Sequence, residues 1–312
     1  MKPIRCGLVL AGLVAAFAGG WASSRAAAAE TSTPWTATVW RGERAFSADA
    51  QGWRAIVSVE RGRLIYFGRA AEELNLLYAP ATRDRPFDWG GHRLWLGPQF
   101  TWPGGWPPPV AWEKSAAERV DVAEGRLRLA VPDAGEGWPR IVREYYWRDG
   151  RLHCAALTRG GTRDAQVIQI VQLPATAVVE ARATPTTETP RGYVLLAIGQ
   201  PAAPRRIFDA PPHVSGPPEA LALRYLNRVE KFGFLPETLV ARVGPWGLRV
   251  SHGEVEGHEV TTPDEGFVTQ VYLGNDNTPV IELEQLSPTW KAGGQARFEM
   301  TLEGVEWADA AP

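Results

Sequence analysis

Two glutamates near the C-terminus have the spacing of a pair that could handle protons. Glu282 and Glu284 occur in "PVIELEQL", where apolar and polar residues alternate as in a β-strand. Because successive strand residues point to opposite faces, both carboxylates would share one face, opposite Ile281 and Leu283. Two neighbouring carboxylates repel, which raises one pKa toward the range useful for proton transfer. The alternative interpretation is an amphipathic edge strand with a charged solvent side.

Familiar catalytic signatures are absent from the sequence. It contains no G-x-S-x-G nucleophile motif, no P-loop and no H-E-x-x-H zinc motif. His252 and His258 flank two glutamates in "SHGEVEGH", but the glycines in this stretch favour a solvent-exposed hairpin over a metal site. The sequence therefore predicts neither a metal nor a cofactor.

The stretch "GGHRLWLGPQFTWPGGWPPPVAW", residues 90–112, holds four of the 14 tryptophans together with glycine pairs and a triple proline. Proline and glycine interrupt regular ladders, so the stretch is predicted to form a shaped loop. Tryptophans are costly to leave in water, which predicts that the loop is ordered. Two interpretations remain: these aromatic rings line a ligand cleft, or they close one end of the core.

The elements that would position these residues are strands. "WRAIVSVERGRLIYFG" predicts two strands around Arg61-Gly62, and "RIVREYYWRDGRLHCAALTRGG" predicts a hairpin that turns at Asp149-Gly150. Similar stretches recur to the end of the chain, and only "EALALRYL" has a helical phase. The pattern predicts an all-β fold, a single large antiparallel β-sandwich over residues 30–312, with less than about a tenth helix.

Residues 1–29 have the three parts of a secretory signal peptide: a basic start, an apolar run and a small-residue end. We therefore expect a periplasmic or secreted protein, with an uncleaved anchor as the alternative. Removing this leader leaves Cys154 as the one cysteine, so no internal disulfide is expected. It also lowers Lys+Arg from 33 to 30 against 35 Asp+Glu, a net charge of −5. Without a basic run, nucleic acid is not an expected partner.

Four stretches of the sequence share a pattern with one known superfamily. They are "AIVSVERGRLIYFGRAAEELNLLY", "DWGGHRLWLGPQFTWPGGWPP", "REYYWRDGRLHCAALTRGG" and "VYLGNDNTPVIELEQLSPTWKAGG". Together they resemble the aldose 1-epimerase (galactose mutarotase-like) superfamily, and in particular an exported branch with a domain of unknown function. The resemblance covers most of residues 45 to 305.

The resemblance implies a catalytic pair. In epimerases of this superfamily a late-strand glutamate removes the proton of the anomeric hydroxyl, and a histidine protonates the ring oxygen. Glu282 matches that glutamate by its place after an apolar pair, and Glu284 by its place before a glutamine. Where the superfamily carries the histidine, this chain has "RDAQVIQIVQLP". His92 or His153 would have to replace it in space.

The resemblance also implies a binding site at the edge of a concave sheet face. It places Trp95, Gln99 and Trp102 at the rim of a cleft, because in this superfamily the segment that begins with the glycine pair borders the sheet face where the sugar lies. Flat aromatic faces would suit a pyranose ring there. Arg93 and Arg143 are further expected ligand-binding residues, because guanidinium groups suit sugar hydroxyls. The expected function is an exported carbohydrate-binding protein, for a mono- or oligosaccharide, that interconverts the anomers of an aldose. The alternative is a noncatalytic binding or structural module on the same fold.

Overall fold

Antiparallel strands dominate the computed structural model, which describes residues 33–81, 89–198, 203–257, 259–261 and 266–307. The predicted leader and His258 lie outside the described residues. Within them, the helical segments described in full are α1 (Val110–Glu113) and two 3-10 turns, Gln99–Thr101 and Pro218–Ala220. The small helix content agrees with the all-β prediction. No helix in the described ranges is long and apolar enough to cross a membrane.

The strands are short to medium in length and follow one another throughout the chain. In the first part they are β1 Thr36–Trp40, β2 Glu43–Ala50, β3 Trp53–Ser58, β4 Arg63–Arg69, β5 His92–Gly97, β6 Arg119–Ala123, β7 Arg126–Ala130, β8 Arg140–Arg148, β9 Arg151–Arg159, β10 Ala165–Pro174 and β11 Val178–Ala181. In the second part they are β12 Val194–Leu196, β13 Val214–Ser215, β14 Leu221–Arg224, β15 Glu230–Phe234, β16 Thr238–Val243, β17 Trp246–Glu256, β18 Glu259–Thr261, β19 Thr269–Leu273, β20 Val280–Trp290 and β21 Gln295–Glu306.

The strands form three antiparallel sheets. The four-stranded sheet has the order β1-β2-β3-β4. The seven-stranded sheet has the order β12-β15-β19-β20-β10-β5, with β18 also paired to β20. The ten-stranded sheet has the order β13-β14-β11-β16-β17-β21-β9-β8-β7-β6. The predicted strand of Glu282 and Glu284 is thus central in its sheet, and not the edge strand of the alternative interpretation.

The main core lies between the sheets. Ile281 and Leu283 of β20 pack there with residues such as Tyr145 of β8 and Met300 of β21. Cys154 of β9 is buried in the same core as a free thiol, and burial raises its pKa well above the usual value. Since Ile281 and Leu283 face this core, the residues that alternate with them on β20 face away from it.

Turn chemistry explains the hairpins. The β8–β9 turn places Asp149 at φ 50° and Gly150 at φ 75°, the left-handed conformation that an Asp-Gly pair accepts. The turn between β3 and β4 likewise contains Arg61 and Gly62, as predicted.

Two local predictions are wrong. "EALALRYL" forms the end of a 3-10 turn and then β14, because pairing with β11 and β13 buries Leu221 and Leu223 on one strand face. The glycine-containing stretch around His252 is not a hairpin. There β17 continues to Glu256, with an irregularity between His252 and Val255 where it pairs with β21.

Candidate functional site

The seven-stranded sheet carries a group of polar side chains on the face opposite the main core. Cross-strand partners share a face, and the register runs from Tyr272 to Glu282 to Gln172, and from Gln270 to Glu284. We call this surface the polar face and define it by the following residues: Arg93 of β5, Gln172 of β10, Lys231 of β15, Gln270 and Tyr272 of β19, and Glu282 and Glu284 of β20.

Glu282 lies at the centre of the polar face and is 5% exposed. Arg93 Nη1 donates a hydrogen bond of 2.6 Å to Glu282 Oε1, and Gln172 Nε2 donates one of 2.8 Å to the same oxygen. Burial raises the pKa of Glu282, the Arg93 charge opposes this, and the charge of Glu284 adds to it. Glu282 is therefore a carboxylate of increased basicity whose orientation is fixed by two donors.

Glu284 forms a second ion pair beside the first. Lys231 Nζ lies 3.2 Å from Glu284 Oε2, and both side chains are less than one-tenth exposed. A buried carboxylate beside another is costly without a cation. Each glutamate has its own cationic partner: Arg93 lies on the β10 side of β20, and Lys231 lies on the β19 side. The two carboxylates thus share one face, as strand periodicity predicts.

Tyr272 differs from its neighbours because it is partly exposed. It is the cross-strand partner of both Glu282 and Lys231, so it lies between the two ion pairs. Burial, together with the charges of Glu282 and Glu284, raises the pKa of Tyr272 to about 12. In the described part of the chain its hydroxyl has no hydrogen-bond partner.

Glu113 contacts Arg93 of the polar face. It was not predicted from the sequence. It ends the short helix α1 and is fully buried. Its Oε1 accepts hydrogen bonds from Arg93 Nε at 3.1 Å and Nη2 at 2.9 Å, and its Oε2 accepts one from Trp95 Nε1 at 3.0 Å. Burial alone would raise the pKa of Glu113, but the charges of Arg63 and Arg93 outweigh it and lower the pKa. Glu113 therefore stays ionised and holds Arg93 toward Glu282.

His92 does not join the polar face. It pairs with Val171, a residue of the main core, and its neighbour Arg93 takes the opposite side of β5. His92 is 1% exposed, and its Nδ1 lies 3.3 Å from the hydroxyl of Tyr145 in the other sheet. Burial and the nearby charge of Arg143 lower its pKa to about 3. The sheet itself therefore separates His92 from the glutamates, which excludes it as their acid partner.

Arg143 and His153 also lie away from the polar face. Arg143 is 2% exposed between the sheets, where it donates to the carbonyl oxygens of His92 at 3.1 Å and Trp112 at 3.2 Å. Arg143 therefore holds the backbone at His92 and Trp112 and does not face a ligand site. His153 is on the outer face of the ten-stranded sheet and pairs with Glu299, Nδ1 to Oε1 at 2.6 Å. The main core separates His153 from the glutamates.

The tryptophans of residues 90–112 form a packed cluster. The prediction that this whole stretch is a loop is wrong for residues 92–97, which form the strand β5 and carry Trp95, because pairing with β10 buries them. Trp95 is 2% exposed and Trp102 is 3% exposed, and Trp102 Nε1 donates to the carbonyl oxygen of Leu96 at 2.7 Å. Both rings are packed in an apolar cluster distinct from the main core, and neither presents a free face to a ligand. Trp106, which is 55% exposed and packs edge-on against Trp95 with ring centroids 5.7 Å apart, is the accessible ring. Gln99 is partly exposed in the 3-10 turn that follows β5.

Among the described residues, no group of three or more His, Cys, Asp or Glu side chains has the arrangement of a metal site. The donors and acceptors of the polar face are instead those that recognise hydroxyl groups: carboxylates, amides, a phenol and two cations.

Comparison with solved structures places this architecture among known folds. A galactose 1-epimerase from Lactobacillus acidophilus NCFM superposes with a TM-score of 0.53 at 11% identity, over 88% of this chain and 98% of that one. A candidate aldose 1-epimerase from Escherichia coli K12 gives 0.58 at 11% identity, over 84% and 99%. A galactose mutarotase-like protein from Lactobacillus casei gives 0.54 at 9%, over 84% and 100%.

The chain has the galactose mutarotase-like fold. This confirms the predicted fold class. No protein-family model and no curated protein sequence matches the chain.

Proposed function

We propose that this protein is an exported carbohydrate-binding protein that binds an aldose on the polar face and interconverts its anomers. The observation that carries the proposal is the position of Glu282, a buried carboxylate of raised pKa held by two donors beside a second carboxylate. Anomer interconversion needs a base at the anomeric hydroxyl, and raised basicity suits a carboxylate to that role.

Two further observations support the proposal. A solved structure with this fold is a galactose 1-epimerase, and its superposition covers 88% of the chain. The leader sequence supports export, since residues 1–29 have the organisation of a cleaved signal peptide. Mass spectrometry of exported protein should find an N-terminus near Glu30, and a mature chain that retained Met1 would contradict export by cleavage.

A noncatalytic carbohydrate-binding module is the second candidate. It is favoured because none of the histidines whose side chains are described lies on the polar face. It is also favoured because the ion pairs with Arg93 and Lys231 already engage both glutamates. On this candidate the same face binds the sugar without opening its ring.

Polarimetry and titration together distinguish the candidates. The purified chain is incubated with freshly dissolved α-D-glucose and α-D-galactose, and binding of the same sugars is followed by NMR. We expect catalysed mutarotation that falls by about 10²–10⁴ in Glu282→Gln. Glu303→Gln, which removes a carboxylate on the outer face of the ten-stranded sheet, is the matched control and should keep the rate. Binding without any acceleration would establish the noncatalytic candidate instead.

A further inference from the structure

Ring opening requires a proton donor as well as a base, and the polar face lacks a histidine among the described side chains. Most of its other donors are already engaged. Arg93 donates to Glu113 and Glu282, Gln172 donates to Glu282, and Lys231 is paired with Glu284. If Arg93 or Lys231 gave its proton to a ligand, its carboxylate partner would stay buried without a counter-charge. The neutral Gln172 amide does not give up a proton near neutral pH.

Tyr272 is the donor of the polar face that remains available. Its hydroxyl has no partner in the described part of the chain, and its side chain is partly exposed, whereas Glu282, Glu284 and Lys231 are buried. It is also correctly placed. Direct cross-strand partners have Cβ atoms about 4.5–5.5 Å apart, so one sugar ring above Glu282 would also contact Tyr272.

We infer that the Tyr272 hydroxyl is the proton donor to the ring oxygen in the proposed interconversion, in the place that a histidine would otherwise take. The inference rests on the proposed function. As the bond between the anomeric carbon and the ring oxygen breaks, its electron pair passes to the ring oxygen, which takes the phenolic proton. Glu282 takes the proton of the anomeric hydroxyl as the aldehyde forms. Rotation and the reverse transfers close the ring and restore both groups.

The electrostatics of the face are compatible with this role. Burial and the charges of Glu282 and Glu284 raise the pKa of Tyr272 to about 12, so its phenol carries its proton at neutral pH, as an ordinary tyrosine does. Lys231, the cross-strand partner on the other side, provides a nearby positive charge when Tyr272 gives up its proton. A phenol of this pKa is a weak acid in water, but it can protonate an alkoxide, which is the base that ring opening generates.

The test compares Tyr272→Phe with Tyr146→Phe, a control that removes a tyrosine hydroxyl from the outer face of the ten-stranded sheet. With D-glucose and D-galactose as probes, we expect Tyr272→Phe to lower kcat by about 10²–10⁴ while the NMR-measured affinity changes by less than about threefold. Tyr146→Phe should retain the wild-type kcat. A fluorinated tyrosine at position 272, whose phenol is more acidic, should introduce an alkaline limb in the kcat profile that a structural role would not produce.

The outcomes separate the inference from the proposed function. If the wild type accelerates mutarotation and Tyr272→Phe keeps the full rate, Tyr272 is not the acid although the function stands. If the wild type binds a probe without acceleration, both the catalytic function and the role of Tyr272 are overturned. If it neither binds nor accelerates, carbohydrate binding on this face is overturned for these probes together with the inference. A lower kcat with retained affinity in Tyr272→Phe supports the inference.

Discussion

The burial of His92 leads to a pH dependence that can be measured without knowing the ligand. Burial, with the charges of Arg143 and Arg63, lowers the pKa of His92 to about 3 in the folded state. In the unfolded chain the pKa should be near its ordinary value of about 6.5. Below that value the unfolded state therefore binds a proton that the folded state does not. The contribution to stability is complete above about pH 6.5 and declines as the pH falls toward 3.

The magnitude follows from this difference. The value of pH 5 lies about 1.5 units below the pKa of the histidine in the unfolded chain, and each unit corresponds to about 1.4 kcal/mol. The free energy of unfolding should therefore fall by about 2 kcal/mol between pH 8 and pH 5 because of His92 alone. This value is insensitive to the folded pKa as long as that pKa stays below about 4.

Urea denaturation of the wild type and His92→Gln at pH 8, 7, 6 and 5 isolates the effect. Gln cannot titrate, so the difference in unfolding free energy between wild type and variant should shrink by about 2 kcal/mol from pH 8 to pH 5. His252→Gln is the control for loss of a partly exposed histidine. Parallel pH dependences of the wild type and His92→Gln would mean that His92 gains its proton in the folded protein, and the interior placement would then be wrong.

Three further changes test buried packing and buried charge pairs, each by urea denaturation. Trp95→Ala should cost about 3–5 kcal/mol, as for a core tryptophan, whereas Trp106→Ala should cost less than about 1 kcal/mol because Trp106 is 55% exposed; similar costs would contradict the packing of this tryptophan cluster. Glu113→Gln should cost about 3–5 kcal/mol because it removes the carboxylate partner of buried Arg63 and one of the two that Arg93 has, unlike Glu118→Gln on the surface. Burial would raise the pKa of Glu299, but its histidine, tyrosine and arginine partners lower it to about 2. Its stabilising contribution should thus persist above about pH 4.5 and be lost toward pH 2, and Glu299→Gln should remove that part of the acid sensitivity.

Local chemistry made part of the structure predictable. The shared face of Glu282 and Glu284 follows from strand periodicity, and the Asp149-Gly150 turn follows from the conformations those residues accept. The orientation of β5 does not follow in this way. "HRLWLG" is buried on both faces, so its sequence lacks the alternation that would show whether His92 or Arg93 faces the core.

Long-range ion pairs made the rest of the site unpredictable. Arg93 and Glu282 are 189 residues apart in the chain, and their contact depends on the pairing of β5 and β20 with β10. Glu113 had no signal of its own, because a four-residue helix after a run of prolines has no periodic pattern. Its role is visible only once Arg93 is placed beside it. The group of residues that surrounds Glu282 therefore becomes visible only in the tertiary structure, where charged residues from distant segments come into contact.

The charge balance of the polar face leads to a final prediction about the ligand. Arg93 is shared between Glu113 and Glu282, and Lys231 is paired with Glu284, so the described cations of the face are already engaged by carboxylates. An anionic sugar would have to draw a cation away and leave a buried carboxylate uncompensated, at a cost of several kcal/mol. A neutral aldose would instead donate hydrogen bonds from its hydroxyl groups to the carboxylates and leave the ion pairs intact. NMR titration should therefore show that D-glucose binds more tightly than D-glucose 6-phosphate and D-glucuronate. Tighter binding of either anion would show that the ion pairs open for the ligand, against this reasoning.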